Sequence, residues 1–537
     1  MTETEQNNFY NIFQDPAGWM TSLLEYMPGQ IAGEVYDAVL YRTGMQLRSQ
    51  QQTKIAIMNS GDKHLIALTD SLSRLQAEQR RLESFDFENH LIQFDTEVQS
   101  QRIEHNMQIN RLEQQIIELS ESYLDRHALD VTWVQVRDAL DETEAAIEFV
   151  YSRNYIMALV LRKGSRSPVA VSLTEGAEFM ARLQSLDVRT SARMAVKLYN
   201  DRNVDLYAML WAPLEPYLDG VTTVYFSTPG ILNNLSFAAF VTPDGGYLFD
   251  KYNLFQLSTT AKLLKPRTEE VLTSAVLMGD IYYSDRQESA AARGEMETRG
   301  TETDFAIDDF GRGIRLDHFA YLPYTKNEVA NLEQTMRRRP ELRDSIQIRQ
   351  GKEATEHSFK ELIQGNPGII HLATHGFFVA NESDAYKIPF YQRHQQSVGN
   401  SMLRTGVALA GAENSWAGAE LDEENDGILT ALEVSKLNLQ QTKLVALSAC
   451  ETALGNYSFE GIFGLPRGFM QAGVESLLVS LWSVNDKSTA LFMTEFYRAW
   501  LEERMTRHKA MRQAVKKVRE NYPQPFYWAP FILLDAL

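Results

Sequence analysis

Apolar residues fall at three- and four-residue intervals through the first part of the chain. From Leu65 they recur at Leu68, Leu72 and Leu75, pass over Gln79 and return at Leu82. The same spacing resumes at Ile109, Leu112, Ile116, Leu119 and Tyr123. It lines the apolar side chains along one stripe of a helix. Glu, Gln and Arg fill the positions between, and Asn59-Ser60-Gly61-Asp62 reads as a helix break followed by a new N-cap. The pattern predicts a helical hairpin or coiled coil within residues 1–128. Two roles fit it: a stripe buried against the next domain, or a device for dimerisation.

Beyond about residue 130 the period changes. "AAIEFVYSR", "YIMALVLRK", "PVAVSL", "TTVYFSTPG" and "NLFQLST" read as strands, with helices around 174–186 and 202–217. A second series begins near residue 274, with "SAVLMGDIYY", "SIQIRQG", "GIIHLATHG", "TKLVALSAC" and "ESLLVSLWSV" separated by helical segments. Nearly continuous apolar strands alternating with helices predict a mostly parallel sheet covered on both faces. The expected fold is α/β, with two α/β modules in tandem behind the helical region. Polar stretches at 285–313 and 380–400 read as insertions of the kind that often border active sites.

Composition narrows the function. A chain of 537 residues exceeds one core, and roughly two to four domains are expected. With 52 basic and 71 acidic residues the formal net charge is −19, which argues against a dedicated nucleic-acid surface. A single cysteine excludes a disulfide within the chain and any zinc site built on several thiolates. No metal and no cofactor are expected. The opening "MTETEQNNFYNIF" lacks the basic and apolar regions of a signal peptide, and no apolar run nears the roughly 20 residues that span a bilayer. A soluble, cytoplasmic protein with no membrane partner is expected.

The candidate chemistry lies at two strand ends. In open parallel sheets, reactive groups gather at the carboxyl ends of the strands. "GIIHLATHG" ends in His375-Gly376, and "KLVALSAC" ends in Cys450. If those strands are neighbours, both side chains leave the same sheet edge. The imidazole then takes the thiol proton to give the nucleophilic thiolate. The backbone N–H groups of Gly376 and Cys450 are candidate donors to an oxyanion. A lone cysteine ending a strand is more often a small core residue; the pairing with His-Gly in one module favours chemistry. His371, inside its strand, reads as a packing or hydrogen-bonding residue.

Here the sequence resembles a family. "HLATHGFF", "DGILTALEVSKLNLQQTKLVALSACETALG", "RGFMQAGVESLLVSLWSVND" and "YWAPFILL" look like the CHAT domain, a caspase-like cysteine peptidase module related to separase. Upstream, "LWAPLEPYLDGVTTVYFSTPGILNNLSFAAF" resembles the first half of that domain. The N-terminal helices resemble the segment that follows tetratricopeptide repeats in repeat-plus-CHAT proteins, although no 34-residue period is visible. The resemblance implies a helical region at 1–128, a non-catalytic pseudo-peptidase half at 129–268 and an active half at 269–537. It implies Cys450 as nucleophile and His375 as general base and acid. The residues around the thiol are Ser448-Ala449-Cys450-Glu451-Thr452 rather than the caspase Gln-Ala-Cys, so aspartate specificity is not carried over.

In related peptidases the strand matching "SLLVSLWSVND" pairs with extended substrate. Ser480, Leu481 and Trp482 are therefore expected to supply backbone hydrogen bonds and a hydrophobic wall, and Asp486 to receive a basic P1 side chain. The alternative is that Asp486 caps the helix beginning near Lys487-Ser488. Asp422, Glu423, Glu424 and Asp426 read as a solvated acidic loop. The expected function is cleavage of a specific protein partner, under control of a regulatory protein acting on the N-terminal region. The family further suggests bacterial defence, with a gasdermin or a dedicated substrate protein as the target. Two rivals are a non-catalytic α/β scaffold and a cysteine hydrolase of small amides; the latter usually has a glycine before the thiol, which "SACETALG" lacks.

Overall fold

The computed structural model describes residues 16–47, 131–186, 191–265, 271–292, 319–379, 385–393, 402–419, 425–448, 464–482 and 486–537, with scattered positions between 61 and 119. Five strands come from the first series: β1 (Glu144–Tyr151), β2 (Tyr155–Arg162), β3 (Val169–Glu175), β4 (Thr223–Ser227) and β5 (Asn253–Gln256). The second series gives β6 (Ala275–Ile281), β7 (Ile346–Gly351) and β8 (Ile369–Ala373). Three short strands follow, β9 (Gly376–Phe378), β10 (Thr405–Ala408) and β11 (Ile428–Thr430). The last are β12 (Leu444–Ser448), β13 (Ser476–Ser480) and β14 (Phe531–Leu534).

All but the three short strands join one sheet of 11 strands in the order β3-β2-β1-β4-β5-β14-β13-β12-β8-β6-β7. The predicted α/β character holds: β12 runs parallel to β8 and β13, and β6 parallel to β8 and β7. Strands β6, β8, β12 and β13 are buried along their whole lengths, as continuous apolar runs require. Each fully buried Leu, Ile or Val there contributes roughly 1.5–3 kcal/mol over exposure. Strands β1, β2 and β3 form an antiparallel meander instead, because their connecting segments are too short for a crossover.

The two series meet edge to edge in one sheet. β14 lies antiparallel to β13 and parallel to β5, with Leu534 opposite Gln256. The helix Arg507–Asn521 crosses this seam. His508 stacks on Phe255 with ring centroids 3.6 Å apart and donates from Nε2 to Leu254 O at 3.0 Å. Burial lowers His508 to about 4, so it sits there as the neutral ring. Arg512 donates to Tyr252 O and Phe249 O, and Arg519 pairs with Asp250.

The helices Pro16–Leu23 and Pro28–Leu47 cover the other face of the first series. Along β1 the side chains alternate: Ala145, Ile147 and Phe149 enter the main core, while Ala146 and Val150 pack against Leu24, Val35, Tyr36 and Val39. Buried between those layers, Glu148 accepts from Thr260 N–H at 2.8 Å and Thr260 Oγ at 2.7 Å. Of the predicted hairpin, most residues lie outside the described set; Leu65 and Ile116 share a small cluster with Ile66, Leu68 and Leu72.

Candidate active site

Strand β8 carries the imidazole to the sheet edge and then changes sheets. Its last residue, Ala373, is the register partner of Ser448, the last residue of the parallel neighbour β12. Thr374 N–H still reaches Ser448 O at 3.3 Å. Then His375 O accepts from Ala408 N–H at 2.9 Å, and Gly376 opens β9 against β10. The chain therefore passes from the large sheet to the three-stranded sheet at His375. Thr374 Oγ pins that passage by donating to Ala408 O, with Tyr283 Oη 2.9 Å from it.

His375 is half-buried between aromatic rings, with Tyr283 at 5.0 Å and Phe319 at 5.8 Å between centroids. Its Nε2 donates to Ala320 O at 2.6 Å. A carbonyl only accepts, so Nε2 carries the hydrogen and Nδ1 of the neutral ring holds the lone pair. The His375–Ala408 bond also fixes the ladder alternation. Gly376 and Val407 become a non-hydrogen-bonded pair, which turns the Gly376 N–H away from β10.

Cys450 lies outside the described residues. In sequence it stands two positions past Ser448, as His375 stands two past Ala373. Parallel strands run about 4.8 Å apart.

The residues expected to form the substrate wall are packed. Ser480 ends β13 opposite Phe531, and Leu481 N–H donates to Pro530 O at 2.9 Å. That amide is already engaged within the fold and is not free for an extended substrate. Trp482 is buried, stacks on Tyr199 at 5.3 Å, and donates from Nε1 to Phe526 O at 3.0 Å. Through these contacts it joins the first and second series. Asp486 is the first residue of the helix Asp486–Tyr497, one position inside the N-cap that the capping alternative assigns it; its side chain is outside the described set.

A second imidazole on β8 has a different role. His371 is fully buried, with Nε2 2.9 Å from Glu328 Oε1 and Nδ1 3.3 Å from Tyr497 Oη. Burial, with the Glu328 charge nearby, pushes the Tyr497 hydroxyl well above its ordinary range. The trio ties β8 to the helices Tyr324–Arg337 and Asp486–Tyr497 from inside the core.

Of the expected acidic loop, Asp422, Glu423 and Glu424 lie outside the described residues, while Asp426 is buried and caps Ile428 N–H at 2.7 Å. Beside it, Glu356 is fully buried. Lys360 Nζ lies 2.5 Å from its Oε1. Burial, with Glu433 and Asp426 close by, raises the Glu356 carboxyl from its ordinary 4.5 to about 9. The folded protein thus keeps a proton that the unfolded chain has released, so stability falls as pH climbs from 4.5 to about 9. Glu356→Gln is expected to raise stability by roughly 1–3 kcal/mol at pH 8 and to change little at pH 4.5. Urea titrations at the two pH values check this; equal effects at both would refute it.

Among the described residues no group of three or more His, Cys, Asp or Glu is placed to hold a metal, and no helix is long and apolar enough to cross a membrane. Sequence reasoning missed Tyr283, Phe319 and Ala320. No signal marks a backbone carbonyl, since every residue has one.

These features define an α/β protein of one extended, mostly parallel sheet with an oriented imidazole at the carboxyl edge of a central strand. The CHAT domain family matches residues 203–536, more than half of the chain, and the chain belongs to that family. Tetratricopeptide repeat protein 28 of Mus musculus and that of Homo sapiens are each 32% identical over 111 residues, 20% of this chain. The chain spans only 4% of the length of those curated relatives. Among solved structures, the Arg-specific cysteine proteinase gingipain R aligns at 9% identity and TM-score 0.36, over 60% of this chain and 64% of its own. The separase–securin complex of Saccharomyces cerevisiae aligns at 9% identity and TM-score 0.40, over 99% of this chain and 42% of that one.

Proposed function

We propose that this CHAT-family chain is a cysteine endopeptidase in which Cys450 is the nucleophile and His375 the general base and acid. The observation that carries the reading is the register of β8 and β12. Ala373 faces Ser448, and the imidazole and the only thiol of the chain each follow two residues later. The hydrogen bond from Nε2 to Ala320 O supports Nδ1 as the basic atom.

In the proposed reaction Nδ1 takes the Sγ proton, and the thiolate adds to the scissile carbonyl carbon. The oxyanion is met by the N–H groups of Gly376 and Cys450. The imidazolium returns its proton to the departing amine as the C–N bond breaks, leaving a thioester. Water, deprotonated by Nδ1, then hydrolyses the thioester and restores the thiol. The half at 269–537 carries this chemistry, the half at 129–268 is the non-catalytic partner in the sheet, and the region 1–128 receives a regulatory protein. The substrate is a protein with a basic P1 residue received by Asp486. A defence role in the cytoplasm, with a gasdermin or a dedicated substrate protein as target, rests on the family resemblance alone.

A peptide library read by mass spectrometry tests this, with wild type, Cys450→Ala and Asp486→Ala side by side. Cleavage in wild type that vanishes in Cys450→Ala while binding of the cleaved peptides persists is the expected result. Cleavage that survives in Cys450→Ala overturns the proposal. Binding without turnover in either protein favours the scaffold. A basic preference unchanged in Asp486→Ala removes Asp486 from the pocket.

A further inference from the structure

We infer that Gln287 and Tyr321 are positioning residues: they clasp Phe319-Ala320-Tyr321 from both sides and thereby hold the carbonyl that sets the tautomer and rotation of His375. This rests on the Cys–His reading above. The three residues form no helix or strand, so nothing in their own backbone pairing fixes the direction of the Ala320 carbonyl. Neighbouring elements do so instead.

On one side stands Gln287, in the helix Asp285–Ala292. Its carboxamide bridges two backbones, Oε1 accepting from Tyr283 N–H at 2.8 Å and Nε2 donating to Phe319 O at 2.7 Å. Only a side chain with both a donor and an acceptor makes this bridge. On the other side Tyr321 Oη donates to Asp280 Oδ1 at 2.5 Å. Asp280 is buried at the irregular end of β6, its backbone in the left-handed region (φ 53°), and its N–H donates to Thr325 Oγ at 2.9 Å. Phe319 closes the clasp by setting its ring against Tyr283, His375 and Trp416.

The chemical consequence concerns one proton. While Ala320 O stays on Nε2, the neutral ring keeps its hydrogen there and Nδ1 remains basic. If the peptide turns, the competing tautomer puts the hydrogen on Nδ1 and removes the base. Losing either latch therefore weakens the imidazole without touching it.

The test needs no known substrate, because Cys450 is the only thiol in the chain. Intact full-length protein is alkylated with iodoacetamide across pH, and the single adduct is followed by mass. In wild type the midpoint is expected below the ~8.5 of an unassisted thiol, and in His375→Ala near that value. Gln287→Leu and Tyr321→Phe are each expected to raise the wild-type midpoint by about half a pH unit, roughly threefold slower alkylation at pH 7, with melting temperatures lowered by a few degrees at most. Should Gln287→Leu fail to fold, Tyr321→Phe, which loses one hydroxyl, decides alone. A wild-type midpoint in the latch variants, alongside a shifted one in His375→Ala, overturns the clasp and leaves the dyad standing. Midpoints that move only in a variant whose melting temperature falls by more than a few degrees also overturn it. An unshifted His375→Ala defeats the dyad reading and the clasp together.

Discussion

Replacing His375 with alanine is expected to slow peptide cleavage by roughly 10²–10⁴-fold, the span that a positioned general base contributes. The expectation follows from where β8 leaves the sheet. His375 sits at the passage into β9, ringed by Tyr283 and Phe319, with Nε2 committed to Ala320 O. The other imidazole of β8 cannot replace it, because His371 is buried against Glu328 and Tyr497. Without a base, the thiol depends on hydroxide, so the residual rate of His375→Ala should climb steeply between pH 7 and 9 while the wild-type rate changes far less. Initial rates on a cleaved peptide over that range provide the measurement, with added imidazole as a rescue. A variant within tenfold of wild type at pH 7 would remove His375 from the chemistry.

Asp535→Ala is expected to cost about 3–5 kcal/mol of stability. Asp535 directly follows β14 and is almost wholly buried. It accepts from Ser258 N–H at 2.7 Å and Ser258 Oγ at 2.8 Å, and pairs with the Lys262 ammonium at 2.8 Å. Truncation leaves that cation largely buried without its carboxylate, and burial of an unpaired charge dominates the cost. Asp535 also lies at φ 58°, a region that alanine enters at a cost of roughly 1–2 kcal/mol and asparagine more readily. Asp535→Asn should therefore be milder than Asp535→Ala. Urea unfolding followed by tryptophan fluorescence ranks the two; equal losses would mean that the charge, which both variants remove, accounts for the whole cost and that the backbone conformation contributes nothing.

Much of the architecture was readable from local pattern, for identifiable reasons. Strands β6, β8, β12 and β13 are buried on both faces, so their apolar runs are continuous and unmistakable. Strand β14 escaped because "FILL" is four residues long and equally fits a core turn. The sheet of β9, β10 and β11 escaped for the same reason, its strands having three or four residues each. Trp482 illustrates a different limit. An aromatic residue beyond a strand end reads alike whether it walls a cleft or stacks on Tyr199 across the molecule.

By itself the sequence determined which segments are apolar strands and that an imidazole and the single thiol each stand just beyond the end of one. Hydrophobic periodicity is a local property, and local properties are written in consecutive residues. Only the tertiary structure decided that β8 and β12 are neighbours, that β14 closes the seam onto β5, and that Ala320 O accepts from the His375 ring. Strand order depends on how distant helices and strands pack over the sheet, and a carbonyl's direction depends on what pins its neighbours. Neither leaves a mark in the residues that use it.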